Sequence, residues 1–462
     1  KIREKYNLPT KERMKSPYDS TALDNNYISK DADWINFQAK ISTSEDQIAI
    51  APGYLIEEKQ ENGRHFFHYK MDKPILNFYN IMSADYEVYE EKHRGTNIQI
   101  FYHEPHDYNI NRMMKASKAA LDYYENNYSP YQFRQLRIME FPLFSGRFAQ
   151  SFANTVPFSE SIGFIAKVDE EDKESVDYPF SVTAHEVAHQ WWAHQVIGAD
   201  VRGATLLSES LSEYSSLRVL EKTYGPHQMR RFLKDALDSY LQGRTFEQQK
   251  ELPLMLNENQ QYIHYNKGSL VLYAMSDYLG ERKFNNILSQ YIDKVAFQEP
   301  PYTTSIEFVN HLEKQTPDSL KYLIEDMFKT ITLYDNYIET ADVEMNPDSS
   351  YTVNIEAVVS KYKSDMKGKK LYAKGQDSLL YVIDKDTLKS WPMKDYVEVG
   401  VFTETLDQGE LVEKPLYLQK VLIDSIYNSF EIKVNQKPTQ VGIDPYNKLI
   451  DTNSGDNRKT LD

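Results

Sequence analysis

The pattern of apolar positions divides the chain into a strand-rich beginning, a helical middle and a strand-rich end. From Trp34 to about His103, short alternating runs are separated by turn residues, which predicts β-strands. Alternation returns after about Tyr334, where apolar residues at every second position predict strands with one buried face. These residues are Val353, Ile355, Ala357 and Val359 on one strand, and Val397, Val399 and Val401 on another.

Between these regions, apolar residues recur at helical spacing. The predicted helices span residues 109–127, 184–196, 206–214, 226–243, 269–279 and 282–295, and a further one begins at the capping box Thr304-Ser305-Ile306-Glu307. Ser181 and Thr183 are candidates for the start of the helix at 184–196.

The pattern predicts a multidomain α+β chain. We assign a polar tail to residues 1–30 and an N-terminal β-domain to 31–107. A mainly helical domain spans 108–332, a C-terminal β-sandwich spans 333–452, and 453–462 form a disordered tail.

His185-Glu186-Val187-Ala188-His189 is the strongest chemical signal in the chain. Residues four apart share one face of an α-helix, so the two imidazoles converge on one point, as a metal site requires. Glu186 lies roughly 100° further round the helix, where it can act as a base toward an attacking water. Two solvated histidines on a surface helix are the alternative. The apolar flanking residues disfavour it, because buried imidazoles need partners.

A third ligand is expected from a second helix, where Glu209 and Glu213 stand one turn apart. We predict that Glu209 binds the metal and that Glu213 accepts a hydrogen bond from the free N–H of a ligand histidine. His194 lies nine positions after His185 and points off the metal face, so we predict a structural role for it.

Residues 185–214 resemble the aminopeptidase-N family of gluzincins, in which His-Glu-x-x-His is followed by a spacer and Asn-Glu-Gly-Phe-Ala-Glu-Tyr. Gln190-Trp191 and Glu209…Glu213-Tyr214 match this pattern, whereas Ser208-Glu209-Ser210 replaces Asn-Glu-Gly and the spacer has one extra residue. We expect that residue in the loop with Gly198 and Gly203. The resemblance implies one zinc ion, a thermolysin-like catalytic domain and a partial N-terminal β-domain.

Two further elements bear on this resemblance. His264-Tyr265-Asn266-Lys267-Gly268 is similar to the family's Tyr-x-Lys-Gly element, which implies that Tyr265 donates a hydrogen bond to the reaction's oxyanion. The family's Gly-Ala-Met-Glu-Asn motif, whose glutamate binds the substrate amine, has no glutamate at the expected offset here. Gln150 is the nearest polar equivalent, and Glu160 is a second candidate for amine binding.

Composition limits the partners. The net charge of −16 disfavours nucleic acid and anionic membranes, and the absence of cysteine removes disulfides, thiolate zinc sites and cysteine nucleophiles. No apolar run reaches the roughly 18 residues of a membrane span. The layout resembles peptidase ectodomains fused to ABC-type permeases in some bacteria. This resemblance implies an extracytoplasmic (periplasmic) location and a permease partner.

The sequence thus predicts a zinc metallopeptidase, an aminopeptidase acting on peptide substrates. Two alternatives stay open. The lost amine-binding glutamate favours an endopeptidase or oligopeptidase, and a catalytically idle zinc-binding sensor ectodomain of a transporter is the non-enzymatic alternative. Because Glu186 and Tyr265 are both present, the enzyme is the preferred interpretation.

Overall fold

A computed structural model describes residues 2–9, 13–169, 176–373, 379–381, 391, 393–407 and 410–461. The chain divides into two compact units, one formed by residues 1–223 and 280–315 and the other by 224–279 and 316–462. This division cuts through the predicted helical domain at 108–332, because residues 224–279 group with the C-terminal strands.

Most of the predicted helices lie close to their observed bounds, and the helix predicted at 184–196, which begins and ends earlier than predicted, is the exception. In the described residues the α-helices are α1 (Ile2–Lys5), α2 (Ile110–Asn127), α3 (Tyr178–Ala188), α4 (Leu211–Tyr224), α5 (Met229–Thr245), α6 (Gly268–Leu279), α7 (Glu281–Val295), α8 (Ser305–Gln315) and α9 (Lys321–Ile324). Wider π-helical turns span Leu206–Ser210, Tyr262–Lys267 and Glu325–Lys329. The capping box forms in part, since the Glu307 amide donates to Thr304 Oγ1 at 3.3 Å.

The strands of the first unit are β1 (Trp34–Ile35), β2 (Gln38–Ser44), β3 (Ile48–Ile50), β4 (Tyr54–Glu61), β5 (Arg64–Lys70), β6 (Ile75–Leu76), β7 (Met82–Ala84), β8 (Glu87–His93), β9 (Thr96–Tyr102), β10 (Gln135–Phe141) and β11 (Thr155–Ser159). A four-stranded sheet has the order β11-β10-β9-β8, in which β10 pairs in parallel with both neighbours. Every residue of β10 is buried. This sheet crosses the predicted boundary at residue 107, because β9 pairs with β8 on one side and with β10 on the other.

The segment predicted as a polar tail packs against the first unit. Ala22 is buried in a cluster with Leu76, Ile197 and Ala199. The Tyr27 amide donates to the carbonyl of Gly198 at 3.0 Å. The tail prediction is therefore wrong for this segment, because its few apolar residues are enough to bury it against the loop after α3.

The strands of the second unit are β12 (Thr332–Met345), β13 (Tyr351–Ser364), β14 (Lys370–Ala373), β15 (Leu379–Tyr381), β16 (Asp395–Asp407), β17 (Glu410–Ile423), β18 (Tyr427–Val434), β19 (Gln440–Ile443) and β20 (Arg458–Thr460). One sheet has the order β12-β13-β14-β15 with β18 beside β13, and the other has the order β17-β16-β19-β20. The valine faces predicted on β13 and β16 are buried. The predicted disorder of residues 453–462 is wrong, because β20 pairs with β19 and so shares its ladder of hydrogen bonds.

Among the described residues, we find no helix with both the length and the apolar character to cross a bilayer.

Candidate metal centre

The helix that carries the His-Glu-x-x-His motif begins earlier than predicted. Asp177, rather than Ser181 or Thr183, is its N-cap, and the Asp177 carboxylate accepts the Phe180 amide at 3.1 Å. Pro179 is tolerated in the first turn, where no amide donor is required. The α-helix ends at Ala188, and the chain from His189 continues in tight turns instead of the predicted helix to Val196.

His185, His189 and Glu209 bring three possible ligand atoms together. Oε2 of Glu209 lies 3.4 Å from Nε2 of His185 and 3.4 Å from Nε2 of His189. These distances are long for a hydrogen bond, whose usual range is about 2.7–3.2 Å. Tetrahedral ligands at about 2.0–2.1 Å from one zinc ion lie about 3.3–3.4 Å apart. Oε2 of Glu209 is buried and has no hydrogen-bond partner in the described residues, so the three side chains fit a zinc ion.

The outer nitrogens of both imidazoles are held by protein groups. Nδ1 of His185 lies 2.6 Å from Oε2 of Glu213, and the role of Glu213 as its hydrogen-bond acceptor stays a prediction. Nδ1 of His189 lies 3.1 Å from the carbonyl oxygen of Trp192 and 3.1 Å from Oγ of Ser212. Since the carbonyl can only accept, His189 donates from Nδ1 and presents the lone pair of Nε2 toward Glu209.

Glu209 lies on the π-helical turn Leu206–Ser210, which leads directly into α4. A π-turn closes its hydrogen bonds over five residues instead of four, so it holds one more residue than an α-turn. The extra spacer residue, predicted in the loop with Gly198 and Gly203, can therefore also be accommodated at the ligand itself. Burial raises the pKa of Glu209, but the imidazoles of His189 and His185 outweigh it and hold this pKa well below its usual value.

Glu186 is buried beside the two imidazoles. Its Oε2 has no hydrogen-bond partner in the described part of the chain. Burial raises the pKa of Glu186, although the neighbouring histidines oppose this shift. A carboxylate with a raised pKa and a free oxygen is well suited to receive a proton.

Gln190, which directly follows the ligand His189, fixes the arm that carries Gln150. Residues 148–152 form this arm, which pairs antiparallel with β11, and Gln150 is exposed on it. Nε2 of Gln190 donates to Oγ of Ser151 at 2.6 Å and to the Phe152 carbonyl at 2.9 Å. Gln190 matches the family pattern in the sequence. Its hydrogen bond to Ser151, which lies 39 residues away in the chain, could not be predicted from that match.

His194 has the structural role predicted for it. Its Nε2 donates to the carbonyl of Ser151 at 3.2 Å, and it is not among the three converging ligands. Burial lowers the pKa of His194 to about 4, so the ring is neutral at physiological pH.

Glu160 is already engaged by its own unit. Its Oε1 accepts the amide of Leu143 at 2.8 Å, and its Oε2 lies 3.8 Å from Nδ1 of His106. The same imidazole is in direct hydrogen-bonding contact with Oε1 of Glu140. Any amine bound by Glu160 would compete with these contacts.

Tyr27 and Tyr265 both lie outside the segment that carries the zinc-site motifs. Tyr27 lies against Ser208 and the ligand Glu209, and burial, reinforced by the Glu209 charge, raises the pKa of its phenol. Sequence reasoning missed Tyr27 because it lies in the presumed tail, although the apolar Ala22, Leu23 and Ile28 around it were a signal.

Tyr265 lies in the second compact unit, on the π-helical turn Tyr262–Lys267, and its role at the metal stays a prediction.

Comparison with known proteins shows which peptidases this chain is similar to. Residues 112–331 match the sequence profile of the Peptidase family M1 domain. The chain is 27% identical over 196 residues to human "Endoplasmic reticulum aminopeptidase 2", a match that covers 40% of this chain and 20% of that protein. It is 26% identical over 195 residues to "Probable aminopeptidase 1" of Sulfurisphaera tokodaii, covering 40% of this chain and 24% of that protein. The matches therefore span about a fifth to a quarter of these relatives.

Solved structures show the same fold. Aminopeptidase A of Legionella pneumophila, solved in complex with aspartic acid, aligns with a TM-score of 0.57 at 14% identity, covering 91% of this chain and 45% of that chain. An M1 zinc metallopeptidase from Deinococcus radiodurans aligns with a TM-score of 0.50 at 16% identity, covering 64% of each chain. The motifs, the profile match and the relatives make residues 112–331 similar to the peptidase domain of the aminopeptidase-N-like gluzincins of family M1, and the solved structures share its fold.

Proposed function

We propose that this chain is a zinc-dependent peptidase that removes residues from the free N-terminus of peptides. The observation that supports this most is the convergence of His185, His189 and Glu209 at tetrahedral spacing beside the buried Glu186. In this proposal the three residues hold one zinc ion per chain.

When bound, zinc supplies a Lewis acid that polarises the scissile carbonyl and stabilises negative charge. Glu186 takes a proton from the attacking water and then delivers it to the departing amine. Tyr265 donates a hydrogen bond to the oxyanion formed at the scissile carbon. Glu213 and the Trp192 carbonyl hold the two imidazoles in the orientation that ligation needs.

Recognition of the substrate amine is assigned to Gln150 or Glu160. The exposed Gln150 offers a neutral acceptor, and Glu160 offers a charge already shared with the Leu143 amide and His106. Either arrangement binds an ammonium group less strongly than a dedicated carboxylate, so we expect slow aminopeptidase activity.

A second candidate function is endopeptidase or oligopeptidase activity, which the engagement of Glu160 favours. The idle zinc-binding sensor is disfavoured because a silent domain needs no buried, unpaired Glu186 oxygen. The extracytoplasmic location and the permease partner stay predictions.

Hydrolysis of a panel of aminoacyl-arylamides, beside peptides of matched sequence with free and acetylated N-termini, tests the proposal. Faster cleavage of the free amines supports an aminopeptidase. Equal or faster cleavage of acetylated peptides supports the endopeptidase, and the absence of cleavage by the zinc-loaded protein supports the sensor. Glu186→Gln is the control for contaminating peptidases.

A further inference from the structure

The π-helical turn Tyr262–Lys267 belongs to the second compact unit and runs without a break into α6. It carries Tyr265, which in the proposed function donates a hydrogen bond to the oxyanion. A hydrogen-bond donor contributes to catalysis only if it is held in place before the charge develops. The groups that fix this turn therefore bear directly on the chemistry.

Helix α5 packs against this turn very closely. A Cβ atom added at Gly243 would lie 2.3 Å from Cβ of Tyr262, so glycine is required for the approach. The rings of Tyr240 and Tyr262 stack with centroids 6.0 Å apart. The Tyr262 hydroxyl donates to Oε2 of Glu247 at 3.2 Å.

The other end of the turn is held by a buried charge. Lys267 is completely buried, with its ammonium 3.6 Å from Oε1 of Glu251 and 5.3 Å from the centre of the Tyr240 ring. Glu251 is also buried, and it accepts hydrogen bonds from the Tyr240 hydroxyl at 2.6 Å and from Nε of Arg244 at 2.5 Å.

A buried lysine is an expensive way to stabilise a fold, since a well-packed apolar side chain of similar volume is often as good or better. Its advantage is attachment to one partner. The buried ammonium is held near the Glu251 carboxylate, 3.6 Å away, whereas an apolar contact tolerates sliding of the turn. Because Lys267 lies two residues after Tyr265 on the same turn, its anchor on α5 and Glu251 restricts the position of that tyrosine.

We infer that Lys267, through its ion pair with Glu251, is a positioning residue that fixes the π-helical turn carrying Tyr265. This inference rests on the proposed function, because it deepens the role given there to Tyr265. Lys267 itself touches no reacting atom in this account.

A double-mutant cycle between Lys267→Met and Tyr265→Phe tests the inference in the zinc-loaded enzyme. Methionine keeps an unbranched side chain only one atom shorter than lysine and removes its charge. In the parent enzyme, which keeps Tyr265, we expect Lys267→Met to lower kcat by about 10–100-fold and to change KM by less than about twofold. Small misplacements of catalytic groups have effects of this size. In the Tyr265→Phe background, the same change should lower kcat less than about twofold. An equal loss in both backgrounds would overturn the inference.

Lys361→Met is the matched control. Lys361 is another buried lysine of the second unit, paired with Asp326 at 2.8 Å and with Asp395 at 2.7 Å. Its loss should lower the unfolding temperature without interacting with Tyr265→Phe. If Lys361→Met shows the same non-additive loss of kcat, the Lys267 effect is general destabilisation and the inference fails.

Hydrogen exchange provides a readout that does not need activity. The amides of residues 262–268 should exchange faster in Lys267→Met than in the parent, and their exchange rate should not change in Lys361→Met. Unchanged exchange in Lys267→Met would contradict the inference. Failure of the proposed function is separate, because it shows as an inactive parent enzyme. If Lys267→Met does not fold, Tyr240→Phe removes only the hydroxyl that supports Glu251 and should show the same pattern with a smaller loss.

Discussion

In the described residues, the first compact unit contains two clusters of histidine and carboxylate side chains, each of which could be taken for a metal site. His185, His189 and Glu209 form one, and His106, Glu140 and Glu160 form the other. In the first cluster, Oε2 of Glu209 lies 3.4 Å from Nε2 of each histidine and has no hydrogen-bond partner in the described residues. The outer imidazole nitrogens are held by other groups, so the inner lone pairs are left for a cation.

The second cluster is satisfied by its own hydrogen bonds. Glu140 contacts Nδ1 of His106 directly and accepts the His103 amide at 2.7 Å, while Glu160 accepts the Leu143 amide. A cation there would have to break these bonds. Residue type and proximity therefore do not define a metal site. The lone pairs that remain after the protein's own hydrogen bonds are what define it.

The largest expected effect separates the two clusters by metal content. Glu209→Ala should lower bound zinc from one ion per chain to almost none, because it removes one of three protein ligands. Glu140→Ala should leave zinc at one per chain. Metal analysis after gel filtration measures both, and full zinc in the Glu209 variant would refute the ligand set.

Glu140→Ala should instead lower the free energy of unfolding by about 2–5 kcal/mol, because it removes a buried carboxylate and leaves the partly buried His103 amide and His106 ring without their acceptor. Denaturant unfolding of the zinc-loaded protein measures this loss. Zinc loss with unchanged stability would instead make this cluster a metal site.

The next effect concerns the buried carboxylate found beside the first cluster. Glu186→Gln should lower kcat by about 10²–10⁴-fold with zinc content unchanged, because an amide cannot accept the proton of the attacking water. Steady-state kinetics and metal analysis on the same sample measure this change. Retained turnover would mean that another group is the base.

A smaller effect tests the hydrogen bonds that support the first cluster. Glu213→Ala should weaken zinc affinity by about 10–100-fold without abolishing binding, because His185 loses the acceptor that orients its ring. Competition with a chelator of known affinity gives the ratio of dissociation constants. An unchanged ratio would show that the contact has no role in ligation.

The smallest effect concerns the second cluster as an amine binder. Glu160→Gln should raise KM for free-amine substrates by about 3–10-fold, because the glutamine oxygen can still accept a hydrogen bond from the ammonium and only the charge is lost. KM for acetylated substrates should not change. If neither KM changes while Gln150→Ala raises the first, the amine is bound by Gln150.

Several features followed from the sequence alone because they depend on residues close together in the chain. The four-residue spacing of His185 and His189 places both on one helix face, and the same spacing places Glu209 and Glu213 together. Helices α2, α6 and α7 were predicted within one residue of their bounds, since their apolar periodicity is strong. Strand faces on β13 and β16 followed from simple alternation.

Tertiary structure decided the features that depend on distant partners. Local pattern could not show that the segment around Tyr27 packs beside Glu209, because its apolar residues become buried only against the loop after α3. Nor could it show that Lys267 is buried on Glu251, or that β20 completes a sheet. Whether a carboxylate keeps a lone pair for a metal depends on which amides and imidazoles reach it from elsewhere in the chain. Sequence therefore determined the candidate ligands, and only the fold distinguished Glu209, with its open oxygen, from Glu140, whose oxygens are already bonded.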